Sequence, residues 1–434
     1  MKRIELQRRV HLNVLALDKF KTDHIAIELR MPLRSETAAL YALIPKVLAR
    51  GTRAYPDLTA LSRRFEELYG SGIWATSYKS GEGLTVSLGS YPLNSQYAMD
   101  DMDILGETVN LMGQMLFDPI LEEGCFLAEY VENEKISLME AIRAEINEKG
   151  RYALRQAIRH MCKGEAFAVD GSGTVEQVQQ ITPQALTEAW RQMLKKAKIE
   201  IWAIGRIDEE SLIEALQPIL NALPEGDSES AETLVKRQAE GEVKVIDEVQ
   251  PMKQGNLVMG FRSGTVLADG EEAYTPFLVF LSVYGSGTTS KLFMNVREKL
   301  SLCYYCMAGA DPLKGIMYVQ SGIDPANLDA ARNEILAQLE AVRNGDITDE
   351  ELENAKIGLV NRYREMSDES GYLRSWYANR LLSGRFDSPD DAARAVMAVT
   401  KDQVVAAAKG VSADTFYFLH SEAGEEHESE EEMA

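Results

Sequence analysis

Residues 181–205 read ITPQALTEAWRQMLKKAKIEIWAIG, and residues 399–421 read VTKDQVVAAAKGVSADTFYFLHS. Each stretch opens on a turn and a Thr suited to cap a helix. Each continues as an amphipathic helix and ends in a strand that carries aromatic residues. Each also closes its own half of the chain. The economical reading is a repeat of two homologous α+β halves of roughly 200 residues.

The rest of the pattern supports this. Strand-like runs come first, at 9–18 and 24–31, followed by helices at 36–49 and 58–68 and a strand at 85–93. A long helical region covers 94–163, broken near Asp118-Pro119. After 224–232, PEGDSESAE, the order restarts, with strands at 243–249 and 256–263, helices at 272–283 and 290–299, and then two more strands. Strands cluster and helices cluster. That favours two antiparallel sheets, each covered by helices, over a strictly alternating parallel fold. The expected domains are 1–223, a linker at 224–241, 242–421, and an acidic tail at 422–434.

The 434 residues hold 46 Lys and Arg against 68 Asp and Glu, a formal net charge of −22. That balance argues against nucleic acid and anionic membrane surfaces as partners and favours basic peptides or basic partner faces. The first residues lack the apolar core of a signal peptide, and no apolar run reaches the roughly 18–20 residues of a membrane-spanning helix. Four cysteines are too few for a disulfide scaffold, so a reduced, cytoplasmic setting is expected.

Two of the cysteines, Cys303 and Cys306, stand in C-x-x-C spacing within a stretch rich in strand formers. In a regular strand, residues three apart point to opposite faces, and their Cα atoms are roughly 10 Å apart. A packing role is therefore expected, against a redox or zinc centre. The five histidines, His11, His24, His160, His420 and His427, include no pair at helical spacing for zinc. Phosphate-binding and serine-nucleophile motifs are missing as well.

The run GSGTTSKLFMNVREKLSLCYY, residues 285–305, resembles the second-half signature of insulinase/pitrilysin-type zinc peptidases. That signature is a Gly-rich loop, then S-[RK]-L-F, V-R-E-K and L-x-Y. The resemblance implies that Arg297 and Tyr304 bind the substrate backbone, where a guanidinium and a phenol can hold and polarise a peptide carbonyl. The bland reading is that Arg297 pairs with a carboxylate and Tyr304 packs.

Active members of that family carry H-x-x-E-H ahead of a G-T, with two His on Zn²⁺ and the Glu activating water. Here the G-T is Gly51-Thr52, preceded by ALIPKVLAR. Ala42 and Lys46 stand at the His positions and Pro45 at that of the general base. None can do those jobs, and the Pro is expected to kink the helix. The family's downstream Glu ligand falls on Ala141. Glu134 keeps the earlier acid of that motif, and Glu140 is one residue off, facing about 100° away.

The resemblance thus implies a zinc-less, non-catalytic member. It is expected to hold no cofactor of its own and to pair with an active H-x-x-E-H-bearing paralogue that carries the zinc. FEELYGSG at 65–72 and SWYANRLLSG at 375–384 look like an inactive bacterial branch linked with elongation factor P aminopentanol modification. The expected function is a substrate-binding subunit of a two-component peptidase. The alternative is a scaffold with no proteolytic role.

Overall fold

A computed structural model describes residues 1–421. The expected acidic tail, 422–434, lies outside the described residues, as does His427. Two compact units form, and neither is a continuous stretch of chain. Among the described residues, one comprises Met1–Ala144, Val169–Thr233 and Glu369–Ser375; the other comprises Glu145–Ala168, Leu234–Asp368 and 376–421.

The first unit is built on a six-stranded sheet. Its strands are β1 (Lys2–Gln7), β2 (Val10–Ala16), β3 (His24–Pro32), β4 (Ile73–Ser80), β5 (Gly83–Ser90) and β8 (Lys198–Gly205), in the order β1-β2-β8-β3-β5-β4. The short β6 (Leu121–Glu122) and β7 (Cys125–Phe126) pair separately. The second unit has β9 (Lys244–Val249), β10 (Gly255–Arg262), β11 (Cys303–Asp311), β12 (Ile316–Ile323) and β13 (Ser412–His420), in the order β11-β12-β10-β13-β9.

Without β1 the two orders are the same, with β2 matching β9, β3 matching β10 and β8 matching β13. Each sheet contains one parallel pair, β2 with β8 and β9 with β13, and is otherwise antiparallel. The expectation of wholly antiparallel sheets is refined to this extent. The parallel pair arises because β8 and β13 return through long helical connections instead of hairpins.

The helices repeat too. The first unit contributes α1 (Ser35–Leu48), α2 (Leu58–Glu67), α3 (Ile104–Phe117) and α4 (Ala128–Ala144). Then come α5 (Lys149–Met161), α6 (Val175–Gln179), α7 (Pro183–Lys196) and α8 (Glu209–Ala222). The second half adds α9 (Glu271–Gly285), α10 (Leu328–Arg343), α11 (Asp349–Ser367), α12 (Ser370–Leu382), α13 (Pro389–Ala398) and α14 (Lys401–Gly410).

The opening repeat is α7–β8 and α14–β13. Thr182 accepts a hydrogen bond from the Ala185 N–H at 3.1 Å, and Thr400 one from the Gln403 N–H at 3.4 Å. These caps satisfy backbone donors that have no intrahelical acceptor. Pro183 occupies the first helical position, where its missing N–H costs nothing. α7 then buries Leu186, Trp190 and Met193 in the first core, each burial contributing roughly 1.5–3 kcal/mol.

The central strands β3 and β10 are buried almost throughout. Each is covered partly by chain from the other half of the sequence. On the second sheet, α5 packs against β10 and β13. Ala153 and Ala157 let it approach Val258, Tyr417 and Leu419 closely. Its C-terminal end is anchored by a buried ionic cluster. Glu165 lies 2.5 Å from the fully buried Lys314 and 3.2 Å from Arg262, and Arg262 lies 2.9 Å from Asp414. Burial alone would raise the Glu165 carboxyl, but Lys314 and Arg262 together hold it below the usual range.

On the first sheet, residues 369–375 do the corresponding work. Arg374 pairs with the buried Glu28, which also accepts hydrogen bonds from Tyr78 Oη at 2.7 Å and Trp202 Nε1 at 2.9 Å. Beside them His24 is 1 % exposed, its ring 4.5 Å from Tyr91 and 5.7 Å from Trp74. Burial, then the charge of Arg374, lowers its pKa to about 4.

A depressed histidine pKa means that the unfolded chain takes up the proton first. The contribution of neutral His24 is therefore complete above about pH 6.5 and is lost as pH falls toward 4. Between pH 7 and 5 the native chain should lose about 2 kcal/mol more stability than a His24→Phe variant. Urea unfolding at the two pH values checks this; parallel losses in both proteins would refute it.

The stretch expected as a linker has no regular structure, but it is tied down along its length. Arg9 donates to the Pro224 carbonyl at 2.7 Å, Lys196 pairs with Glu229 at 3.0 Å, and Arg237 pairs with Asp269 at 2.6 Å. The passage from first unit to second falls inside it, at Thr233–Leu234.

Candidate functional site

Ala42, Pro45 and Lys46 lie on one turn of α1. Ala42 and Pro45 are buried among Leu43, Ile44 and Val47, and Lys46 is half-buried. The helical assignment runs without a break through Pro45. Positions 42 and 46 share a face, the spacing that two metal-binding His would need. A methyl group offers no lone pair, a prolyl ring offers no base, and an ammonium only donates hydrogen bonds.

Gly51-Thr52 serves the local fold. A Cβ on Gly51 would come within 2.7 Å of the Tyr55 carbonyl oxygen and 2.9 Å of Ile120, so only glycine fits. Thr52 is fully buried, bridges to Pro119, and accepts from the Tyr55 N–H at 3.1 Å.

α4 packs beside α1. Its Ala141 is exposed, as is Glu140. Glu134 is engaged elsewhere: Arg50 pairs with it at 2.6 Å and stacks over the Tyr130 ring at 5.8 Å. An ion pair thus joins the end of α1 to α4. Among the described residues, no group of three or more His, Cys, Asp and Glu stands together in a way that could hold a metal ion. The residues at these positions do not fit zinc.

Arg297 and Tyr304 lie in the second unit. α9 ends at Gly285, which touches β11 so closely that a Cβ there would sit 2.6 Å from that of Ala308. After the 285–289 loop, the Lys291–Glu351 ion pair at 2.9 Å pins the next segment. The helix expected over 290–299 forms as a π-helical turn, Phe293–Lys299, closed by the Leu300 N–H on the Asn295 carbonyl at 3.2 Å. Such turns are rare and recur at functional sites.

Ser301, with φ +51°, reverses the chain, and the Leu302 N–H bonds the Val296 carbonyl at 3.0 Å. β11 follows directly. One tight turn therefore links the two candidate residues. The Arg297 side chain is 43 % exposed, 4.7 Å above the Phe293 ring and 3.6 Å from Glu298. An exposed pair of that length contributes under about 1 kcal/mol, so Arg297 can exchange it for another partner. Tyr304 is 76 % exposed on the sheet's edge strand, with Met294, Leu300 and Met307 also at the surface.

The expectation that the two cysteines face opposite sides of the strand is overturned. Cys303 pairs with Ile323, Tyr305 with Gly322 and Cys306 with Ser321, so Tyr304 is the extra residue of a β-bulge. The bulge adds one residue to the count. Cys303 and Cys306 therefore face the same side, opposite residues two apart on β12. Alternation read from sequence fails here because nothing in LCYYCM marks an unpaired residue.

The chain thus folds as two units of like topology, and the positions expected to bind metal, Ala42, Pro45, Lys46 and Ala141, hold residues unsuited to it. Residues 180–359 match the family model described as "Peptidase M16 inactive domain". Over that stretch the chain is similar to the M16 peptidases. The Bacillus subtilis protein named "Probable inactive metalloprotease YmfF" is 29% identical over 416 residues, 95% of this chain and 96% of that protein. An "Uncharacterized zinc protease" of Streptomyces coelicolor is 22% identical over 70% of this chain and 66% of its own.

Among solved structures, a conserved Enterococcus faecalis protein superposes with a TM-score of 0.89 and 26% identity, over 97% of this chain and 98% of its own. The Pseudomonas fluorescens "peptidase M16 inactive domain" shares the fold, with a TM-score of 0.77 and 17% identity over the same shares. Among the described residues, no helix is long and apolar enough to cross a membrane.

Proposed function

We propose that this chain is the non-catalytic subunit of a two-component zinc metallopeptidase in the cytoplasm. Arg297 and Tyr304 hold a peptide's backbone beside a zinc ion carried by an H-x-x-E-H-bearing paralogue. One asymmetry carries the reading. The positions that would bind zinc and activate water are Ala42, Pro45, Lys46 and Ala141, whereas Arg297 and Tyr304 keep their chemistry and stand exposed at the surface. In a shared site, a guanidinium and a phenol aimed at a scissile carbonyl stabilise the negative charge that develops on its oxygen. The net charge of −22 favours basic peptides through long-range attraction.

The second reading is a scaffold that binds the paralogue and cleaves nothing, linked with elongation factor P modification. The exposed apolar residues around Tyr304 would serve either role.

Co-purification from the native host is the test. The expected result is a stoichiometric partner of similar length that bears H-x-x-E-H. Recovery of only self-associated chain would overturn the proposal.

A further inference from the structure

The pairing of β11 with β12 has a chemical consequence that does not depend on the proposed peptidase role. Cys303 and Cys306 stand opposite Ile323 and Ser321 on the same face of the sheet. Their partners on β12 are two apart, about 6.6 Å along a strand, near the upper end of the roughly 4.4–6.8 Å of Cα separation that a disulfide spans, and the two side chains are within hydrogen-bond reach of each other. Both cysteines are free, Cys303 half-buried and Cys306 buried. We propose that they form a reversible dithiol–disulfide site, oxidised by small-molecule disulfides, at the base of the bulge that presents Tyr304.

The two thiols have the unequal character such a site needs. A hydrogen bond from the Cys306 side chain lowers the Cys303 thiol to about 7, against the opposing effect of burial; Ser321 and the positive charge of Arg297 assist. Cys306 is raised, first by that same hydrogen bond to Cys303 and then by burial. Cys303 is thus the attacking thiolate and Cys306 the resolving thiol.

The Cys303 thiolate attacks one sulfur of a disulfide RSSR. That S–S bond breaks and RS⁻ leaves, with Cys303 held in a mixed disulfide. The thiolate that had raised Cys306 is then gone. Cys306 gives its proton to the departing thiolate or to water, and its sulfur attacks Cys303 Sγ, expelling the second RS⁻. Two protein thiols are oxidised and one RSSR is reduced to two RSH. Excess RSH reverses the sequence. The new bond closes a ring around Tyr304 and fixes the backbone that carries it, next to Arg297.

The full chain is equilibrated with oxidised and reduced glutathione, quenched with acid and alkylated. Trypsin then releases residues 300–314, which hold both cysteines and no internal Lys or Arg. Most of this peptide should be two hydrogens lighter and unalkylated, and return to the doubly alkylated form in excess reduced glutathione. Alkylation of Cys303 should titrate near pH 7, against roughly 8.5 for an ordinary cysteine. In Cys306→Ala the midpoint should rise, and the glutathione adduct should persist on Cys303.

Three outcomes would overturn the proposal: both thiols still reduced in excess oxidised glutathione, a stable adduct on Cys303 in the native chain, or a disulfide that reduced glutathione cannot reopen. The fate of the peptidase reading does not affect this result, because its readout needs neither partner nor substrate.

Discussion

On the proposed shared site, Arg297→Ala should lower peptide cleavage by the chain reconstituted with an H-x-x-E-H-bearing paralogue roughly 100-fold or more, the usual effect of deleting one donor to a developing oxyanion. The loss should fall mainly on kcat, since the guanidinium does most when the carbonyl oxygen gains charge. Tyr304→Phe, which removes only the hydroxyl, should act in the same direction. Neither change threatens the fold. Arg297 makes a surface contact with Glu298, lies over the Phe293 ring and acts on Cys303 by its charge alone, and Tyr304 is exposed. The partner's zinc content should stay the same. Cleavage at the native rate by both variants would remove the shared site and leave the scaffold reading. Arg297→Lys helps to separate charge from shape, because an ammonium keeps the charge without the planar fork.

The second large effect is on stability. Glu165→Gln should cost about 3–5 kcal/mol, because it removes the carboxylate charge that faces the fully buried Lys314 and Arg262. The double change Glu165→Gln with Lys314→Met should recover much of that loss, since replacing a buried pair by apolar bulk is often close to neutral. Lys236, whose contact with Glu165 is 3.8 Å long and partly solvated, should matter little when changed to Ala. Urea-unfolding midpoints decide the matter. A Glu165→Gln protein within 1 kcal/mol of native would show that water or rearrangement satisfies the cluster.

Much of the architecture was legible in the residues. Caps at Thr182 and Thr400, followed by amphipathic helices and aromatic strands, marked the repeat, because capping and periodicity are local properties. That Ala42, Pro45 and Lys46 cannot bind metal was legible for a similar reason, since each can be judged by what its side chain lacks.

What escaped was set by tertiary pairing. β1 was not recognised, since Ile4 and Leu6 among charged residues give only a faint alternation at a sheet edge. The bulge at Tyr304 depends on how β11 registers with β12, which no local pattern encodes. The exchange of 145–168 and 369–375 between the units was also hidden. α5 reads as one more helix of the first half, and only the partners of Glu165 and Arg374 disclose where each segment docks.

That exchange also bears on synthesis. The first unit's sheet is encoded by residue 205, yet the segment that brings Arg374 to Glu28 and His24 leaves the ribosome far later. At about 5–20 residues per second, the first unit waits roughly 10–30 s for its last piece. During that interval the ground around His24, Glu28 and Tyr78 is open to water and to chaperones. The nascent α5, meanwhile, has no second sheet to cover. Vectorial production therefore leaves this protein incomplete in both units until nearly all of its chain has emerged.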